Sequence, residues 1–273
     1  MNTKEIQNLK EEILICKERP PAEYTVRSAF LTDIGRLRLH NQDSVFAADY
    51  PVGPLPNLYL VADGMGGHRG GDFASRFTID TIVEDVEEGK YPQTIRLLGK
   101  AIERANRDLR EQAFSDVALL GCGTTVVAAV IEGNVLTFAN VGDSRGYLIR
   151  AGKIHQITRD HSLVEEMVRA GELTKEAART HPERNIITRA IGAQDYVHID
   201  FFEEELRKGD LVLMCSDGLT TMVEDGEILK LCQAGDLNAM VKNLVRTANE
   251  HGGKDNISVL LIDPFDFYSG LSQ

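Results

Sequence analysis

Residues 57–71 read NLYLVADGMGGHRGG: an unbroken apolar run ends on Asp63, and five glycines follow within eight positions. Residues 210–219, DLVLMCSDGL, make the same move with Asp217. A single Asp-Gly after an apolar run is ordinarily a turn. Two of them, each closing a strand-like run, raise two further readings. The glycines could cradle a phosphate, or the aspartates could ligate a metal.

Outward from this stretch, TVRSAFLT (25–32) and SVFAAD (44–49) are short, apolar and β-branched or aromatic, so three strands are expected before residue 64. Helical spacing follows. Ile79, Ile82, Val83 and Val86 form one apolar stripe, and Ile95, Leu98, Ile102, Ala105 and Leu109 form another. Two consecutive helices on one side of a sheet are the expectation. Residues 122–157 read as a meander of close strands with tight turns at Glu132-Gly133-Asn134, at the GDSR corner and at Ala151-Gly152. Residues 161–190 are polar with short helical patches, a surface excursion of the kind that often carries function. VHIDFFEEE and DLVLMCSD return to strand, two helices follow at about 224–233 and 236–250, and NISVLLI is a last strand. No internal repeat or linker divides the chain, so one α+β domain is expected.

The composition is that of an ordinary globular protein, and 30 basic against 42 acidic residues leave a net charge of −12. That balance argues against non-specific nucleic-acid binding, which needs a cationic surface. No apolar run is long enough to span a bilayer. The N-terminus has too short an apolar centre for a signal peptide. Ile6, Leu9 and Ile13 suggest a short leader helix stopped by Pro20-Pro21. Cys16, Cys122, Cys215 and Cys232 form no CxxC pair and read as buried reduced thiols of a cytoplasmic protein.

Five acids stand out by position. Asp43 precedes a strand, Asp63 and Asp217 each end one before a glycine, Asp143 sits in NVGDSRG, and Asp255 opens the final strand. Asp43, Asp63, Asp217 and Asp255 come from four strands, whose ends a sheet could bring together. Clustered carboxylates repel unless cations or protons neutralise them. An all-oxygen set suits magnesium, manganese or calcium rather than zinc. Gly64, lacking a Cβ, could let its own carbonyl approach such an ion. Arg38, five residues before Asp43, offers a donor fork for phosphate; Arg36 would face the opposite way on a strand.

Together these residues resemble the metal-dependent serine/threonine protein phosphatases of type 2C, and their bacterial branch most closely. The resemblance runs in order from about Thr25 to Ile262 through TDIGRLRLHNQDS, LVADGMGGH, GTTVVAAVI, ANVGDSRGYLIR, ITRDHSLVEEMVRAG, IITRAIG, LMCSDGLTTMV and GGKDNISVLLI. It implies a four-layer α-β-β-α sandwich of two antiparallel sheets flanked by helices. The domain would occupy residues 23–265, with a flap at about 162–185, a leader at 1–22 and a tail at 266–273. By position, Asp43 and Asp63 match the ligands of two core Mn2+ or Mg2+ ions, with Asp63 bridging and the Gly64 carbonyl a further ligand. Asp217 and Asp255 match the aspartates completing the first ion's shell. Asp143 matches the residue that, with Asp217, holds a third ion in many bacterial members. Arg38 matches the phosphate-binding arginine.

Two positions depart from many eukaryotic members. Gln42 stands where they have glutamate, and Met65 where they have the histidine proposed as general acid. His68 is no positional match and reads as a solvated loop residue. A metal-bound water could protonate the leaving group instead. The implied reaction is attack by a dimetal-bridging hydroxide on phosphoserine or phosphothreonine of a protein phosphorylated by a serine/threonine kinase. The expected enzyme is a cytoplasmic signalling hydrolase, monomeric, with no membrane or nucleic-acid partner. The rival readings are a catalytically idle phosphoprotein-binding domain on the same fold, a nucleotide-binding glycine loop, and a structural calcium site. Neither GxGxxG nor GxxxxGK[ST] is formed, and no EF-hand spacing occurs.

Overall fold

The computed structural model describes residues 25–67, 70–233 and 235–266. The expected leader helix, Cys16, His68 and nearly all of the expected tail lie outside the described residues.

The chain opens with β1 (Thr25–Asp33), β2 (Asp43–Ala48) and β3 (Leu58–Met65), then α1 (Gly70–Glu88) and α2 (Thr94–Ser115). Next come β4 (Gly123–Thr124), β5 (Val126–Glu132), β6 (Val135–Val141), β7 (Arg145–Arg150) and β8 (Lys153–Gln156). Two short helices, α3 (Leu163–Arg169) and α4 (Lys175–Thr180), fill the polar excursion. The chain then forms β9 (Asp200–Glu205), β10 (Leu211–Cys215), α5 (Asp217–Thr220), α6 (Asp225–Leu231), α7 (Leu237–Glu250) and β11 (Ile257–Asp266).

Two antiparallel sheets result. One has the order β2-β3-β5-β6-β9, with β4 paired to the end of β3; the other has the order β1-β11-β10-β7-β8. Three apolar layers fix how they stack. Leu58, Leu60 and Ala62 of β3 meet Ile82, Val86, Leu98 and Ile102 of α1 and α2. Tyr59 and Val61, on the other face, meet Leu148, Met214 and Leu260 of the second sheet. Leu213 and Cys215 of β10 turn instead toward Ile228 of α6 and Leu244 of α7. The order is helix, sheet, sheet, helix: the α+β four-layer sandwich. It also explains why NLYLVAD and DLVLMC read as continuous apolar runs. A strand covered on both faces has no polar side to alternate with.

The structure departs from the sequence reading at several points. The 122–157 segment is not one meander, because β6 and β7 belong to different sheets and the Gly142–Ser144 corner carries the chain between them. The GDSR turn chemistry is local, whereas sheet membership is decided by which face each strand buries. Arg36 and Arg38 lie in a loop rather than on a strand. Asn256 Nδ2 donates to the carbonyls of Ile34 and His40 at 2.9 and 3.0 Å, so the loop's backbone is satisfied by a side chain instead of a ladder. Asp217 opens a helical turn after β10 rather than ending the strand. On α2, Ile95 is exposed at the margin of the stripe, and Leu97 and Ala101 widen the buried face.

Candidate active site

Asp43 and Asp63 are direct cross-strand partners on β2 and β3. Two like charges so placed on one sheet are destabilising unless compensated. From the second sheet, Asp217 leaves the end of β10 and Asp255 precedes β11. The four aspartates therefore converge from two sheets rather than one, at a shared end of the sandwich. Asp143 joins them from the inter-sheet corner.

Specific hydrogen bonds hold three of them, Asp63 through its backbone and Asp43 and Asp255 through their side chains. The Asp63 N–H donates to Thr125 Oγ1 at 2.9 Å, and its carbonyl accepts from the Thr125 N–H and Thr124 Oγ1. Asp43 Oδ2 accepts from Ser216 Oγ at 2.7 Å, while Ser216 Oγ itself accepts from the Ser258 N–H at 2.9 Å. One buried hydroxyl thus ties β2, β10 and β11 together. Asn256 does the same for the loop: its Oδ1 accepts from the Gln42 N–H at 2.8 Å. Arg38 Nη2 donates to Asp255 Oδ2 at 2.7 Å, with the Arg38 side chain 48% exposed. Gly64 has no room for a side chain, since a Cβ there would lie 2.0 Å from the Gly71 carbonyl oxygen.

The electrostatics follow from burial and mutual repulsion. Burial, and then the charges of Asp43, Asp217, Asp143 and Asp255, push Asp63 well above the usual carboxylate range. Burial raises Asp43 to about 7, against the Ser216 hydrogen bond and with help from the charges of Asp217 and Asp255. Asp217 rises to about 6 through burial and then the Asp255 charge. Burial and the Asp217 charge likewise raise Asp143. Asp43 Oδ1 and Asp217 Oδ1 are buried with no hydrogen-bond partner. Orphaned buried carboxylate oxygens among like charges are what a cation would satisfy. Among the described residues no three His, Cys, Asp or Glu side chains form a ready cage for an ion. Magnesium-type sites do not need one, because one or two carboxylates plus water suffice. The donor set therefore fits hard divalent cations.

Asp143 and Asp217 also face a groove of about 770 Å³ whose other wall comes from the excursion, with Arg159, Arg169, Arg179 and Arg184 along it. Cys215 is buried and its thiol is pushed up by burial, away from nucleophilic character. Cys122, Cys215 and Cys232 are all free and buried. No helix among the described residues is long and apolar enough to cross a membrane. Sequence reasoning missed Ser216, Asn256 and His161. The first two carry a weak signal, a small polar residue beside a candidate aspartate at the mouth of an apolar strand. His161 carries none beyond its place at the start of the excursion.

A four-layer sandwich with a buried carboxylate cluster at one end of its paired sheets defines the class of protein. The protein phosphatase 2C family model matches residues 36–261. Serine/threonine phosphatase stp of Listeria innocua is 39% identical over 243 residues, covering 87% of this chain and 96% of the relative. The crystal structure of the Mycobacterium tuberculosis serine/threonine phosphatase PstP/Ppp is similar with a TM-score of 0.81 and 35% identity, over 89% of this chain and 100% of that one. The catalytic domain of PstP in complex with two manganese ions is similar with a TM-score of 0.79 and 34% identity, over 89% and 99% of the two chains. The chain belongs to the protein phosphatase 2C family and is an enzyme of the phosphatase class.

Proposed function

We propose that this enzyme hydrolyses phosphoserine and phosphothreonine in proteins modified by a serine/threonine kinase, using Mn2+ or Mg2+, as part of bacterial signalling in the cytoplasm. The observation that carries the reading is the pair of orphaned oxygens, Asp43 Oδ1 and Asp217 Oδ1, buried among mutually repelling carboxylates. Asp43, Asp63, the Gly64 carbonyl, Asp217 and Asp255 would hold two core ions, and Asp143 with Asp217 a third. When bound, such ions supply a water acidified toward neutral pH and offset phosphoryl charge.

The chain's own part is positioning. Arg38, anchored through Nη2 on Asp255, keeps the rest of its guanidinium fork available to phosphoryl oxygens at the edge of the cluster. Ser216 holds one oxygen of Asp43, and the other is buried without a hydrogen-bond partner. Neither Ser216, locked in its two hydrogen bonds, nor the buried Cys215 is placed as a nucleophile, which favours direct attack by water. The domain spans about residues 23–265, with the excursion at about 162–185 as a flap beside the groove. The test is phosphate release from phosphoserine and phosphothreonine peptides with Mn2+, with excess chelator, and with Asp217→Asn. Release should vanish in the last two; full activity in excess chelator would overturn the proposal.

A further inference from the structure

Asp160 and His161 grip the Asp143 corner from both sides. Before Asp143, Gly142 and His161 exchange two bonds. The His161 N–H donates to the Gly142 carbonyl at 2.9 Å, and the Gly142 N–H donates to His161 Nδ1 at 3.0 Å. After Asp143, the Arg145 guanidinium donates to both oxygens of Asp160 at distances between 2.6 and 3.0 Å. Gly142 adopts φ +106°, and a Cβ there would meet Thr125 Cγ2 at 2.5 Å, so the corner is seated against the residue that holds Asp63.

The ring's tautomer follows from its partners. A backbone N–H only donates, so Nδ1 is unprotonated and the proton of the neutral ring sits on Nε2. Nε2 lies 3.2 Å from Asp200 Oδ2 and 3.1 Å from Arg189 Nη1. Two N–H groups cannot serve each other, so both donate into Asp200, Arg189 reaching Oδ1 at 2.9 Å. The root of the excursion closes here as well. The Leu163 N–H donates to the Ile186 carbonyl, and the Thr188 N–H to the His161 carbonyl. His161, 5% exposed, is thus where the corner, both roots of the excursion and β9 meet.

We propose that His161, as its Nε2–H tautomer, is a positioning residue for Asp143: by accepting the Gly142 N–H it fixes the corner that presents the Asp143 carboxylate to the cation site shared with Asp217. This rests on the proposed role of Asp143 as a ligand. His161 bonds to the Gly142 backbone, is not part of the groove lining, and acts through the backbone between itself and Asp143. A ring that merely filled space would be indifferent to which atom accepts from Gly142, and two variants separate the possibilities. His161→Asn places an acceptor, Oδ1, near the position of Nδ1. His161→Gln moves its polar group out to the ε position and leaves the Gly142 N–H unpaired.

The measurement is Mn2+ binding by calorimetry without phosphoester, beside kcat and KM on p-nitrophenyl phosphate and thermal unfolding in chelator. His161→Gln should weaken the binding event attributed to Asp143 by about 10- to 100-fold, the range for residues that orient metal ligands. Its kcat should fall with KM unchanged, and His161→Asn should regain most of both losses. Equal losses in the two variants, or no loss in His161→Gln, overturn the inference. Should His161→Gln not fold, His161→Asn decides: affinity near that of the wild type supports the role, and a tenfold loss refutes it. Asp143→Asn is the control. If it leaves Mn2+ binding unchanged, the ligand assignment fails; if it alone weakens binding, only the His161 role fails.

Discussion

Replacing Gly64 with alanine tests whether the glycine after Asp63 is a turn residue or part of the site's construction. A Cβ at Gly64 would lie 2.0 Å from the Gly71 carbonyl oxygen and 2.6 Å from that of Gln42. Cβ contacts below 3.0 Å essentially do not occur, so the end of β3 or the first turn of α1 must give by at least 1.0 Å, the difference between 3.0 and 2.0. Both obstacles are backbone, and no side chain can rotate aside. Displacing a catalytic group by about 1 Å costs on the order of 100-fold in rate. Overpacking costs about 1–3 kcal/mol. At about 2–4 °C per kcal/mol for a domain of this size, the thermal midpoint should fall by about 2–12 °C. Gly67 is the internal control, because a Cβ there meets nothing within 4 Å and its φ is not positive. Gly67→Ala should stay within about 0.5 kcal/mol of the wild type. The assay is kcat and KM on p-nitrophenyl phosphate at saturating Mn2+, with thermal unfolding in chelator. A Gly64→Ala enzyme with wild-type kcat and midpoint would refute the reasoning, and so would Gly67→Ala damage equal to that of Gly64→Ala.

Ser216→Ala strands the Ser258 N–H and removes a bond to Asp43. Leaving a buried donor unsatisfied costs about 1–3 kcal/mol, so calorimetry should show a lower midpoint in chelator together with weaker Mn2+ binding. Arg38→Ala should lower kcat/KM on a phosphopeptide by about 10- to 100-fold through loss of a charged hydrogen bond, without lowering the thermal midpoint; Arg38→Lys should recover only part of it. Burial holds His161 below its ordinary 6.5, opposed by Asp200 and its neighbour Asp160 and reinforced by Arg189. A depressed folded-state value contributes stability that is present above pH 6.5 and lost as pH falls through the folded value. The midpoint difference between wild type and His161→Asn should therefore shrink from about pH 8 to about pH 5; a constant difference would contradict it.

What could be read from the sequence, and what could not, divides along the range of the interactions. β3 and β10 are legible because burial on both faces leaves a continuous apolar run, and the aspartates are legible because each interrupts or abuts such a run. The crossing between sheets at Gly142 is not legible. Phe138 of β6 and Leu148 of β7 enter the same inter-sheet layer from opposite sides, and an apolar residue carries no mark of the side it comes from. The supports of the site are silent for a related reason. Ser216 finds Asp43 across 173 positions, and Asn256 finds Gln42 across 214. Neither bond leaves a period or a turn signature behind. Asp-Gly is the intermediate case: the glycine is visible, but its reason, a carbonyl arriving from Gly71 and another from Gln42, is tertiary. The place of Arg38 depends on the same kind of distant bond. Its loop takes its shape from the amide of Asn256, and its guanidinium rests on Asp255 beside it. The phosphate-binding candidate near the start of the domain is therefore positioned by two consecutive residues near its end, so Asn256→Ala should move Arg38 and impair KM even though Asn256 is no candidate ligand.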